Sequence, residues 1–223
     1  MNDEKVHPKT GGVNPRRRYH SPVRREQARE TRLRILDAAR CLFLQDGYVA
    51  TTIAAIAREA GVSAQTVYVT FNAKPAILTT LMGISIGGDD QPLSVLERSE
   101  PQRMRQETDQ RRQLRTMARG IRPILDRAGP MFDMMRIAAA ADADIAAAHR
   151  RLQEERLQNM TKVVEWIEAN GPLSSGLSAA EAGEIMWTLT SPDVHRMLRI
   201  ERGWSVERYE LWLAESLIAA LLP

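Results

Sequence analysis

Several things are scarce in this 223-residue chain. It has one cysteine, Cys41, so no internal disulfide can form, and a small core position inside a helical pattern is the simplest place for that thiol. It has four histidines, His7, His20, His149 and His195, scattered along the chain. None stands at metal-ligand spacing from a cysteine or carboxylate cluster, and both His149 and His195 read as ordinary polar positions. No nucleophile motif or phosphate loop is present, so no catalytic residues, cofactor or metal are expected. Aromatic residues make up 5% and β-branched runs are missing, which argues against a β-rich fold. No stretch approaches the ~18 uninterrupted apolar residues of a membrane span, and the opening MNDEKVHPKT has no apolar run for a signal peptide. A cytoplasmic protein with no membrane partner is expected.

Present instead are alanine, leucine, arginine and glutamate in quantity, with 43% apolar residues overall, the composition of an all-α globular protein. The charge is uneven. Residues 1–82 hold 13 Lys/Arg and 7 Asp/Glu, a net +6, while residues 83–223 hold 18 and 21, a net −3. A basic first third on a slightly acidic remainder suits a nucleic-acid module joined to something else.

The pattern of that first third is specific. Residues 1–23 carry Pro8, Gly11, Gly12, Pro15 and Pro22 with little apolar content, and Arg16, Arg17 and Arg18 form a basic run, the composition of a disordered basic arm. A helix over 26–46 follows, with Ile35, Leu36, Ala38, Ala39, Leu42 and Phe43 on one face. Thr52 to Phe71, TIAAIAREAGVSAQTVYVTF, then reads as two short helices. Thr52 caps the first, Gly61 stops it, and Ser63 caps the second, which turns Val67 and Phe71 inward. Ala64, Gln65, Thr66, Tyr68 and Thr70 are left facing outward, uncharged and mostly able to hydrogen-bond. A helix–turn–helix needs this arrangement, the second helix lying in the major groove. Asn72-Ala73-Lys74-Pro75 opens a fourth helix that runs to about Ile86.

The run TRLRILDAARCLFLQDGYVATTIAAIAREAGVSAQTVYVTFNAKPAIL, about residues 30–82, closely resembles the N-terminal domain of the tetracycline-repressor (TetR) family. The resemblance implies an all-α, dimeric, ligand-responsive transcription regulator, usually a repressor. It implies a three-helix DNA-binding domain over 24–82 and a helical ligand-binding and dimerisation domain over 83–223. By position it suggests Thr52, Ser63, Tyr68 and Lys74 as phosphate contacts and Gln65 and Thr66 as base-edge contacts, beside Ala64 and Thr70 on the same face. Gln65, Thr70 and Ala54 depart from residues common in the family at those places, which bears on the operator sequence rather than on DNA binding. An all-α protein-interaction module that uses the two helices only for packing is the alternative.

Residues 83–99, with Gly83, Gly87, Gly88, Asp89, Asp90 and Pro92, read as a linker. An arginine-rich helix over 101–127 should kink or break at Pro123, and Gly129-Pro130 should start another. A long helix over 142–169, a helix capped by Ser178 and Glu181, a short helix over 193–202 and a last helix from Val206 to Leu222 complete the chain. The resemblance implies a small apolar effector, and Met131, Met135, Met160, Trp166 and Trp187 are the candidates to line its pocket, with a plain core as the alternative for any one of them. The last two long helices carry apolar residues on more than one face. They are the expected homodimer contact, with Trp212 and Leu213 as points to disrupt it, and a palindromic operator follows from two-fold symmetry.

Overall fold

The computed structural model describes residues 22–223, so the basic run at Arg16 to Arg18 lies outside the described residues. Helix α1 (Pro22–Asp46), α2 (Ile53–Glu59), α3 (Ala64–Phe71) and α4 (Lys74–Gly87) form the first group. A 3-10 turn (Val95–Glu97) leads to α5 (Ser99–Gln106), α6 (Gln110–Ala138), α7 (Ala143–Glu168), α8 (Ala179–Leu189), α9 (Pro192–His195) and α10 (Val206–Leu221). Helix α9 continues directly into a π-helical turn, Arg196–Glu201. No strand occurs among the described residues, and no described helix is long and apolar enough to cross a membrane.

The linker reading of 83–99 is only half right. Helix α4 continues to Gly87, stops at Gly88 (φ 87°), and α5 begins at Ser99. The larger correction concerns α6, which runs unbroken through Pro123 and Pro130 over 29 residues. An interior proline costs roughly 3 kcal/mol of helix propensity. The helix survives because one face is buried along its whole length. Leu114, Ala118 and Leu125 pack in one apolar cluster with α7, α8 and α10, while Ala128, Met131, Phe132 and Met135 pack in another with α1 and α4. Burying a large apolar side chain contributes on the order of 2 kcal/mol, so several together outweigh two prolines.

Helix α6 is therefore the beam joining both cores, and α7 does the same with Ile145 and Ala148 at one end and Met160, Val164 and Ile167 at the other. Polar ties reinforce the joint. Tyr48 donates its hydroxyl to Asp142 at 2.8 Å, and Arg127 donates to the carbonyls of Ser85 at 2.7 Å and Ile86 at 2.9 Å. Helices α7 and α8 lie close because Gly183 faces Thr161. A Cβ there would sit 3.0 Å from the Thr161 Cα and nearer still to its hydroxyl.

Two single-residue expectations fail. Cys41 is exposed, on the face of α1 turned away from Phe43 and Ala39. His195 is not an ordinary polar position. It is buried, its Nε2 lies 2.8 Å from Asp126, and its ring meets the edge of Tyr209. His149 is half-buried beside Gln153.

Candidate nucleic-acid interface and effector cavity

The turn between α2 and α3 is built as its sequence requires. Thr52 accepts the Ala55 N–H at 3.1 Å and Ser63 accepts the Thr66 N–H at 3.0 Å, each supplying one of the acceptors a helix N-terminus lacks. At the other end of α2, Gly61 takes φ 66° and the Val62 N–H reaches back to the Ala57 carbonyl at 2.9 Å, a Schellman closure that sets the angle between the helices. Val67 and Phe71 are buried, and they clamp α3 onto the core of Ile35, Phe43, Ile56 and Ile77.

This leaves one face of α3 open. Ala64 and Gln65 are exposed at its start, and Tyr68 is 51% exposed one turn on. Thr66 and Thr70 are half-buried. The Thr66 hydroxyl pairs with that of Ser63 at 2.8 Å, and Thr70 donates to the Thr66 carbonyl at 2.7 Å. Thr52 and Ser63, both exposed, stand at the N-termini of α2 and α3, where N–H groups and the helix dipole favour an anion. Lys74, half-buried, donates its ammonium to the carbonyls of Tyr48 at 2.9 Å and Thr51 at 3.0 Å and lies 4.2 Å from the centroid of the Tyr48 ring. Burial lowers its pKa. Two of its three protons thus hold the loop before α2, and one is left for an outside anion.

Sequence reasoning overlooked two neighbours of this face. Val69 is 77% exposed on α3, an apolar side chain that helical spacing from Gln65 could have placed outward. Gln27, Arg29, Thr31 and Arg32 of α1 form a groove with Thr66 and Thr70, and only tertiary packing brings them there.

The other cavity, about 600 Å³, lies between α4, α6, α7 and the segment from Asp89 to Arg98. Of the five expected lining residues, Met135 and Met160 do line it, with Met82, Phe132, Ile121 and Ile124. Met131, Trp166 and Trp187 do not. Met131 is buried in the core shared by α4 and α6, Trp166 receives the Arg105 guanidinium at 5.5 Å, and Trp187 receives that of Arg156 at 4.4 Å. Their apolar character was read correctly, but helical phase turns them elsewhere. Among the described residues no group of three His, Cys, Asp or Glu is placed to hold a metal ion.

Residues 35–81, the span of this capped three-helix unit and the start of α4, match the family model of bacterial regulatory proteins, tetR family. The helix–turn–helix unit of this chain is that of the tetR family. The sequence resemblance is thereby borne out, and so are the all-α architecture with an N-terminal helix–turn–helix and the role of DNA-binding transcriptional regulator. Solved structures carry the same fold over nearly the whole molecule. NalD of Pseudomonas aeruginosa, the secondary repressor of the MexAB-OprM multidrug efflux pump, is 22% identical with a TM-score of 0.65, over 88% of this regulator and 98% of NalD. FadR of Bacillus subtilis, in complex with stearoyl-CoA, is 17% identical with a TM-score of 0.65, over 84% and 97% of the two chains. The TetR-family regulator PfmR of Thermus thermophilus is 17% identical with a TM-score of 0.61, over 83% and 97%. No curated protein matches the regulator by sequence.

Proposed function

We propose that this regulator is a homodimeric repressor that reads a palindromic operator with α3 and leaves it when a small, largely apolar molecule enters the 600 Å³ cavity. The observation that carries the DNA half is the exposed, uncharged face of Ala64, Gln65 and Tyr68 on a helix whose other face is locked into a core. Gln65, free of internal hydrogen bonds among the described residues, pairs with adenine through two hydrogen bonds, and Thr66 and Thr70 border the same groove. Thr52, Ser63, Tyr68 and the remaining proton of Lys74 bind phosphates and fix register. In this reading residues 24–82 are the DNA-binding unit and 83–223 the effector and dimer unit, acting in the cytoplasm.

Support for the effector half comes from the cavity's position against α6 and α7, the helices that tie the two cores together, and from FadR, a fold neighbour with a bound acyl-CoA. Support for the dimer comes from α10. Leu211 is 64% exposed on its outer side, while Tyr209, Leu213 and Leu217 fill the inner side and Trp212, half-buried, packs beside Tyr209. A second copy packed on α8 and α10 sets two recognition helices about 34–36 Å apart, or a multiple of that, to meet successive major grooves. Leu213, expected from sequence as a surface point at which to disrupt this contact, is instead fully buried within its own subunit. Leu211→Glu is the appropriate substitution.

The test is footprinting on DNA recovered by the protein from a random pool, repeated across salt concentrations. Sequence-specific protection that weakens steeply with salt, over a two-fold symmetric site, is the expected result. Binding that ignores sequence ends the operator reading. Sedimentation showing a monomer at micromolar concentration ends the dimer.

A further inference from the structure

The walls of the effector cavity carry an imbalance of charge. Arg32, Arg98, Arg151 and Arg156 line it, against Asp89, Asp90 and Glu155. Two of those carboxylates are already neutralised. Asp89 accepts both terminal nitrogens of Arg98 at 2.9 Å, which holds its pKa down at about 2, and Asp90 accepts from Arg29 at 3.0 and 3.1 Å. Among the described residues Glu155 then stands alone against Arg32, Arg151 and Arg156, none of which has a carboxylate partner. With Arg29 counted as the partner of Asp90, a surplus of two positive charges surrounds a mainly apolar interior. A guanidinium cannot shed its charge by deprotonation at neutral pH, so the surplus persists.

The three arginines differ in what else they hold. Arg156 donates to the Trp187 carbonyl at 2.8 Å near the C-terminus of α8, a favourable place for a cation in the absence of any ligand. Arg151 is exposed. Arg32 is half-buried, has no hydrogen bond to another described residue, and stacks its Cζ 4.6 Å from the centroid of Phe71, the last residue of the recognition helix. It also lines the groove beside Thr66 and Thr70. One guanidinium therefore borders both the effector cavity and the DNA-reading helix.

We propose that the effector is an amphipathic anion, an apolar body with a carboxylate or phosphate-type head, and that Arg32 receives the head. The inference rests on the effector reading above and narrows it. The apolar body lies against Ile121, Ile124, Phe132, Met135 and Met160. The head forms charge-assisted hydrogen bonds to Arg32, and drawing that guanidinium toward the cavity weakens its stacking on Phe71. A ligand shifts a conformational equilibrium only by binding one state better than the other, and the two competing demands on Arg32 supply that difference.

The test titrates the full-length protein with one ten-carbon chain bearing four heads, all below their micellar concentrations: decanoate, decyl phosphate, decanol and decyltrimethylammonium. The anions should bind on the order of tenfold or more tightly than the alcohol, and the ammonium weakest. The ratio of decanoate to decyl phosphate tells the two anionic heads apart. Arg32→Gln, checked by its melting transition, should bind decanoate no better than decanol, and its affinity for selected DNA, already lowered by loss of the Phe71 stacking, should not fall further when decanoate is added. Arg151→Gln should retain the gap. Arg32→Lys, which keeps the charge without the planar fork, should fall between and serves if Arg32→Gln does not fold. Equal binding of the alcohol or the ammonium overturns the anion while leaving an effector cavity in place. Failure of all four to bind overturns the anion and the cavity's role together. A gap that survives in folded Arg32→Gln overturns the assignment to Arg32.

Discussion

The two halves of this regulator place function on the chain in opposite ways. In the DNA-binding part, the proposed contacts from Thr52 to Lys74 occupy one short run, and neighbouring residues in that run supply the caps, the turn and the buried anchors. In the effector part, the cavity draws on Arg32, Met82, Ile121, Met135, Met160 and Thr190, which are remote in sequence and meet only after α4, α6 and α7 have packed. A site made from one run carries a readable pattern. A site assembled from several helices carries only composition.

The comparison breaks most severely at the core of the second half. Leu213→Glu buries an unpaired charge where the side chain is fully enclosed, and should lower stability by about 4 kcal/mol or more. Leu211→Glu, two residues earlier and 64% exposed, should leave the melting temperature of the folded subunit nearly unchanged while abolishing the dimer in sedimentation. Equal damage from both would mean that the outer side of α10 is also internal to the subunit.

On the local side, Gln65→Ala should cost about 1–3 kcal/mol at one operator position and relax preference there, read from selected sequences before and after substitution. An unchanged preference profile would make Gln65 a bystander. Thr52→Ala removes the N-cap of α2 and should cost about 1 kcal/mol in chemical denaturation. Lys74→Ala should mix both effects. It flattens the salt slope by about one unit and loosens the loop at Tyr48 and Thr51, which a stability measurement will register and a pure phosphate contact would not.

The mildest test concerns pH. Burial lowers the pKa of His195, against the pull of Asp126, and burial likewise lowers that of His149. The folded state thus binds fewer protons than the unfolded one. Its stability is whole above the ordinary histidine pKa of about 6.5 and declines as pH falls through that value. His195→Gln should remove part of the slope of melting temperature against pH between about 7 and 5.5. An unaltered slope would assign the whole dependence elsewhere.

The sequence by itself determined the helical class, the α2–turn–α3 unit with its caps at Thr52 and Ser63, the capping box at Ser178 and Glu181, and most helix boundaries to within a few residues. All of these depend on contacts within about four residues, which spacing makes visible. Tertiary structure decided the continuity of α6 through two prolines, since burial on two cores outweighs a local propensity. It decided that Cys41 faces out and His195 in, because a helical period fixes which residues share a face but not which face finds a partner. It also sent Met131, Trp166 and Trp187 away from the cavity while bringing Arg32 to it. Those contacts span long loops of chain, and only the packed arrangement of the helices selects them.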